Sequence, residues 1–386
     1  MNKLLYLIFS FFHLTNAANW AVLVAGSNTF MNYRHQADVC HAYQLLHNNN
    51  IPDSNIIVMM YDDIAYNSLN PYKGVIINEP NGYNVYENVL KDYVGEDVNP
   101  TTFIGVLTGN KTMAKGKVLN TGSDDTIFLY FVGYGGPGFI SFGNQRLYSH
   151  ELKNILFDLY SANKFSLALI YMDSSFSGSI FTGELIPNMF ILAITSTNPI
   201  QLNYACYWDE KIGVYLADVF SINWLINTGN QMNIDNETIG TQFKILRNET
   251  NNSTVCSYGD MNIFNLLIKQ FFGINNGIKN IIHSNKITDF IQTDHIKLKT
   301  LINFSSKSEI NDEILSIKKY DEMFKEKYDL IKKYKPTNCH VNQNDYIDTI
   351  CLKNLIDKFE QMNGQLTEYG MKYMAVFAEE CKLISL

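Results

Sequence analysis

The sequence predicts an α/β domain built on a central, largely parallel sheet, followed by a small all-α unit at the C-terminus. Three observations predict it. Short apolar runs alternate with helix-like stretches across residues 20–273, the order that crossover connections and a sheet covered on both faces require. Those runs are continuously apolar, as strands buried on both faces are. From Asn311 onward the apolar residues recur instead at steps of three and four, which is a helical period.

Taken in order, the chain opens with Lys3, an apolar stretch over 4–14, and small residues at Thr15 and Ala17. That is the pattern of a secretory signal, so residues 1–17 are expected to be removed and the mature chain to begin at Ala18. Trp-Ala-Val-Leu-Val-Ala (20–25) is the first strand, and residues 37–47 form the first helix. Ile-Ile-Val-Met-Met (56–60), the runs at 126–131 and 166–171, and Phe-Ile-Leu-Ala-Ile-Thr (190–195) supply four more strands. Loops 26–35, 132–138, 172–179 and 196–204 follow strands, at the carboxyl end where such sheets bind ligands. Residues 228–262 are polar and Asn-rich and read as an exposed excursion, and 274–310 read as a linker. A helix follows on Ile314, Ile317, Tyr320, Phe324, Tyr328 and Ile331 until Pro336 stops it, with amphipathic stretches at 346–362 and 366–383. The expected division is therefore a signal peptide (1–17), a core (18–273), a linker or activation region (274–310) and a helical unit (311–386).

Composition narrows the function classes. Of 386 residues, 46% are hydrophobic and 18% charged, a balance that belongs to an ordered globular chain. A formal charge of −8 argues against a nucleic-acid partner. The Lys residues at 317–335 alternate with acidic ones, as on a solvated helix face. No run approaches the ~18 apolar residues of a membrane span. Asn110, Asn236, Asn248, Asn251, Asn252 and Asn303 sit in Asn-x-Ser/Thr sequons, which suits a secreted or lysosome-like destination. Six cysteines lack any CxxC pairing, so a zinc site is not expected and disulfides are allowed; no cofactor is expected. Cys40 and Cys206 read equally well as buried thiols or as a bridge. His150, after Ser149 at a helix start, reads as an ordinary surface residue.

Longer strings carry a resemblance. Gly-Ser-Asn-Thr-Phe-Met-Asn-Tyr-Arg-His-Gln-Ala-Asp-Val-Cys-His-Ala-Tyr (26–43) resembles the opening motif of the legumains, the asparaginyl endopeptidases. The strings at 56–66 and 84–98, and Asn-Tyr-Ala-Cys-Tyr-Trp-Asp-Glu-Lys (203–211), continue it, so the similarity covers about 20–273. It implies a caspase-like α/β sandwich with a C-terminal helical pro-domain that caps the active site.

The resemblance also implies a site, residue by residue. The family's catalytic histidine lies in a Phe-x-Asp-His-Gly string, matched here by Phe-Val-Gly-Tyr-Gly (131–135), which puts Tyr134 at the histidine position. Its cysteine lies in Glu-Ala-Cys-Glu-Ser-Gly-Ser, matched by Asp-Ser-Ser-Phe-Ser-Gly-Ser (173–179), which puts Ser175 at the nucleophile. Gly135 keeps an oxyanion-hole amide. Asn32 matches the asparagine that orients the histidine, here expected to lack its client. Arg34, His35 and Asp218 match the asparagine-specificity pocket, with Asp173 replacing a glutamate and Asn203 a serine. A pocket of mixed charge suits a carboxamide, which both donates and accepts. Cys339, Cys351 and Cys381 would stand for three of the pro-domain's four cysteines, with Cys339–Cys381 the favoured bridge and Cys351 free or paired with Cys256.

A serine hydroxyl needs a neighbouring base to become a nucleophile, and a phenol of pKa about 10 is not one at neutral or acidic pH. The expected function is thus a catalytically impaired homologue that acts by binding peptide or protein substrates, inhibitors carrying Asn or Asp, or an active paralogue. The alternative is a working hydrolase or transpeptidase that uses Ser175.

Overall fold

The apolar runs form strands where the sequence places them, in a computed structural model that describes residues 17–182, 189–229, 236–274, 286–334, 339 and 346–382. Strands β1 (Asn19–Ala25), β2 (Ile56–Met59), β3 (Thr126–Val132), β7 (Leu167–Asp173) and β8 (Ile191–Thr195) pair in parallel in the order β8-β7-β3-β1-β2. The small strands β4 (Gly135–Gly136), β5 (Phe139–Phe142) and β6 (Gln145–Tyr148) form an antiparallel sheet just beyond β3.

Alternate side chains of the central strands enter two separate cores. On β1, Ala21, Leu23 and Ala25 pack with helices α1 (Tyr33–Asn48), α4 (Val219–Gly229) and α5 (Ile239–Glu249). Val22 and Val24 pack on the opposite face with α2 (Pro100–Thr108) and α3 (Ser149–Ser161). Burial on both faces explains why these strands read as unbroken apolar runs.

Two segments differ from expectation. The described part of 228–262, residues 228–229 and 236–262, is not an exposed excursion. It contains α5, which buries Ile239, Gln242 and Leu246, and strand β11 (Cys256–Gly259), which joins the central sheet antiparallel to β8. The signal was hidden because α5 carries only a thin apolar stripe among Asn and Thr, and β11 offers one cysteine and one tyrosine to the core. Within the segment read as a linker, strand β12 (Phe290–Gln292) adds to β9 (Tyr204–Asp209), which also pairs with β10 (Val214–Asp218). Helix α6 (Ile296–Phe304) follows directly.

The C-terminal unit consists of α7 (Lys307–Tyr334), α8 (Thr349–Asn363) and α9 (Met374–Glu380). The stripe read on α7 holds: Tyr320 and Tyr328 are buried, with Ile317, Phe324 and Ile331 packed beside them. Pro336 and residues 1–16 lie outside the described residues. This unit has no core of its own separate from the α/β part. Its tyrosines and leucines share one cluster with Tyr134, Phe139, Tyr148, Phe176 and Leu202.

The disulfides correct the favoured Cys339–Cys381 bridge. Cys256 pairs with Cys339 and Cys351 with Cys381. The physical reason is placement: Cys339 lies where the chain passes the edge strand β11, its carbonyl accepting from the Tyr258 hydroxyl at 3.0 Å. Cys381 instead follows α9, which packs on α8 and its Cys351. Cys40 and Cys206 are free and buried.

Candidate functional site

The carboxyl ends of β1, β3, β7 and β10 bring the singled-out residues together. After β1 the chain turns into α1, whose first turn carries Arg34 and His35, both fully buried. The loop after β3 carries Tyr134, and the end of β7 carries Asp173 and then Ser175. Val132 and Asp173 are register partners, and the Gly133 amide donates to the Asp173 carbonyl at 3.1 Å, so the two loops leave the sheet side by side. Gly135 allows the closest approach. A Cβ there would sit 2.6 Å from the Ser175 carbonyl oxygen. Phe176, next to Ser175, holds φ at 57°, a conformation bulky residues rarely accept without surrounding structure that enforces it.

Arg34 and Asp218 form a buried ion pair, Nε to Oδ1 at 2.9 Å. The other carboxylate oxygen, Oδ2, is 3.1 Å from His35 Nε2, and His35 Nδ1 meets Ser27 Oγ at 2.5 Å. Burial works against ionising Asp218, but Arg34 and His35 outweigh it and hold the carboxyl below its ordinary range. Burial, with Arg34 adding to it, lowers His35 to about 4 despite Asp218, so the imidazole is neutral at ordinary pH. Asp173 accepts from Asn203 Nδ2 at 2.7 Å and from the Ser221 amide at 3.1 Å and hydroxyl at 2.5 Å. Burial first, then Asp218, push it up to about 7 against those donors. Four buried polar atoms of this group, Arg34 Nη2, His35 Nε2, Asn203 Oδ1 and Asp218 Oδ2, make no hydrogen bond among the described residues, although His35 Nε2 and Asp218 Oδ2 face each other as an ion-pair contact. Of the two that face no such contact, Arg34 Nη2 is a donor and Asn203 Oδ1 an acceptor.

Tyr134 does not leave Asn32 without a client, which corrects the sequence expectation. Its hydroxyl donates to Asn32 Oδ1 at 2.8 Å, while Asn32 Nδ2 donates to Glu368 Oε1 at 2.9 Å. The phenol ring lies edge-on to His35, centroids 5.4 Å apart, with the Arg34 guanidinium 5.5 Å from its centroid. Burial, reinforced by Glu368, pushes the phenol well above its ordinary value although Arg34 opposes this. Ser175 is 5% exposed. Its Oγ accepts from the Asn203 amide at 3.0 Å and lies 3.2 Å from Thr293 Oγ1.

Thr293 is a residue that sequence reasoning missed. It follows β12, and its amide donates to the Asn203 carbonyl at 3.0 Å, so this stretch lies along β9 beside the Ser175 loop. Its neighbour Asp294 pairs with Lys372 of the helical unit at 2.7 Å. No sequence signal placed 293–294 near Ser175, because the β9–β12 pairing joins distant positions. His150 is likewise more than a surface residue: Nδ1 sits 2.7 Å from Thr349 Oγ1 at the start of α8.

The adjacent loops after β3 and β7 thus carry Tyr134 and Ser175, the buried Arg34–His35–Asp218 group lies beside Tyr134, and the helical unit packs against both loops. The comparisons name the class. Residues 19–276 match the Peptidase C13 family and residues 297–384 the legumain prodomain. The chain belongs to the legumain family. It is 42% identical over 260 residues to human "Legumain", a match covering 66% of this chain and 60% of that protein. It is 43% identical over 255 residues to the "Hemoglobinase" of Schistosoma mansoni, covering 66% and 59%. Against the "Vacuolar-processing enzyme" of Citrus sinensis it is 33% identical over 405 residues, covering 94% and 81%. The match thus spans about three fifths of the animal relatives and most of the plant one. A caspase-1 structure from Spodoptera frugiperda aligns at 9% identity and TM-score 0.39 over 68% of this chain and 94% of that one, too slight a likeness to argue from. Among the described residues no helix is long and apolar enough to cross a membrane, and no cluster of metal-binding side chains occurs.

Proposed function

We propose that this legumain-family chain binds peptides through an asparagine side chain and does not cleave them. The observation that carries this is the surroundings of Ser175. Its oxygen faces an amide N–H and a threonine hydroxyl, neither of which can take the proton that a serine nucleophile must lose. At the neighbouring loop, where the family's string holds histidine, stands a phenol that burial drives away from ionisation. In a serine protease, loss of nucleophile or base alone costs on the order of 10⁶ in turnover.

The buried polar group supports binding. A carboxamide offers a carbonyl to Arg34 Nη2 and an amino group to Asn203 Oδ1, two of the buried atoms that make no hydrogen bond among the described residues. Unmet buried polar groups are costly, so a ligand that satisfies both gains affinity and specificity over an apolar side chain. In this reading Arg34, His35, Asp173, Asn203 and Asp218 line the specificity pocket. Gly135 and the residue-175 amide keep the outline of an oxyanion site, and Asn32 holds Tyr134 in place of histidine. The leader-like start, the sequons and the two disulfides support a secreted or lysosome-like destination. Residues 18–273 would form the core and 311–386 its cap.

The test is an asparaginyl fluorogenic peptide incubated with the protein between pH 4 and 7. No product release above buffer is expected, and Ser175→Ala leaves that unchanged. Turnover abolished by Ser175→Ala would instead establish the serine hydrolase or transpeptidase.

A further inference from the structure

Cys256 opens β11, the edge strand of the central sheet, where it is the register partner of Thr195 and fully buried. Cys339 follows α7 in the chain, on the cap side of any cut before it, lies against β11 and is partly exposed. The bridge joins positions 83 residues apart, and every peptide bond that connects the core to α7 lies within that loop. Cys351–Cys381, by contrast, stays inside the helical unit. A single backbone cut anywhere in 260–338 therefore leaves two pieces that are still one covalent molecule.

We propose that the Cys256–Cys339 bridge is a redox latch on the cap: proteolysis of the connecting segment does not uncover the cleft, and release requires reduction by a dithiol as well. The cap's grip on the cleft is otherwise non-covalent. Glu368 accepts from Asn32, Arg146 pairs with Glu360, and β12, on the cap side of a cut at 277–283, pairs with β9 of the core. Contacts of this kind re-form when the partner is tethered, because the tether keeps it at an effective concentration of roughly millimolar. A nicked but bridged chain therefore stays closed.

The exchange balances simply. One thiolate of the dithiol attacks Cys339 Sγ, the more accessible sulfur, and the S–S bond breaks with Cys256 leaving as thiolate and taking up a proton. The second thiol of the reductant then attacks its own sulfur in the mixed disulfide, freeing Cys339. The dithiol ends as a disulfide, and its two electrons have reduced the bridge. That release exposes a peptide cleft rests on the function proposed above. The latch itself does not.

The experiment places a site-specific protease sequence over residues 277–283 of the full chain and cuts it. In urea without reductant the nicked protein is expected to run as one species, and with dithiothreitol as two. A Cys256→Ser/Cys339→Ser variant, nicked in the same way, should separate in urea with no reductant while Cys351–Cys381 stays intact. In native buffer, a labelled asparaginyl peptide should bind the nicked variant, or nicked and reduced wild type, at least tenfold more tightly than nicked, unreduced wild type. Separation of the wild-type fragments in urea without reductant overturns the latch. Measurable peptide binding that is equal before and after reduction overturns it as well. A nicked variant whose fragments part but whose core binds no peptide refutes the peptide-binding reading, and wild-type retention in urea then still supports the latch.

Discussion

Two side chains define what is unusual at the residue scale. Tyr134 and Ser175 are visible in the sequence as substitutions, because the strings around them are long enough to align by eye. What they touch is not visible. Tyr134 reaches back 102 residues to Asn32, and Ser175 forward 118 residues to Thr293, contacts fixed by strand order and not by local pattern. The Tyr134 hydroxyl gives Asn32 a well-placed donor, since the Arg34 Nη1 contact to the same oxygen is long at 3.4 Å. Tyr134→Phe keeps the ring against His35 and removes only that donor. The expected loss is about 1 kcal/mol, the usual net value of one neutral hydrogen bond, read as a lower urea midpoint with unchanged slope. An unchanged midpoint would mean that the ring's packing alone holds the loop.

Elements tell a similar story one level up. The parallel strands were legible because burial on both faces writes them as continuous apolar runs. Strands β11 and β12 were not, because each is short and gains its place from pairing with a partner strand far along the chain. The helical unit was legible from its period, but its dependence on the core was not. One place where it shows is the β4–β5 turn, which meets the start of α8. Gly138 there has φ of 76°, and a Cβ on it would lie 2.9 Å from Thr349 Cγ2. A left-handed backbone costs an L-residue roughly 1–2 kcal/mol, and the collision adds to that by pushing against the helix whose N-cap is Asp348. Gly138→Ala is therefore expected to lower stability by more than the backbone term alone. It should also raise hydrogen exchange at the first turn of α8 more than in the central sheet. Equal protection in both places would show that the contact with α8 carries no strain.

At the scale of the whole molecule, stability depends on buried groups that titrate in opposite senses. His41 is buried in α1 with Nδ1 2.8 Å from Asn78 Oδ1, and burial lowers it to about 4 against that hydrogen bond. His35 is also held at about 4. An unfolded imidazole protonates near 6.5. Between pH 6.5 and 4 the unfolded chain thus binds more protons than the folded one, and stability present above 6.5 is lost as the pH falls. Asp173 acts in reverse. Raised to about 7, its contribution is present below the ordinary carboxylate range and is lost as the pH rises through 7. The three partly cancel in the wild type, so single variants are needed to see them. His41→Gln keeps a polar group facing Asn78. Its stability deficit against wild type, from urea unfolding, should shrink by up to about 3 kcal/mol as pH falls from 6.5 to 4, at 1.36 kcal/mol per unit. Asp173→Asn should show the opposite trend, its deficit shrinking as pH rises from 4 to 7. A deficit independent of pH in either variant would mean that the group titrates alike in the folded and unfolded chain, and that burial is not what governs it.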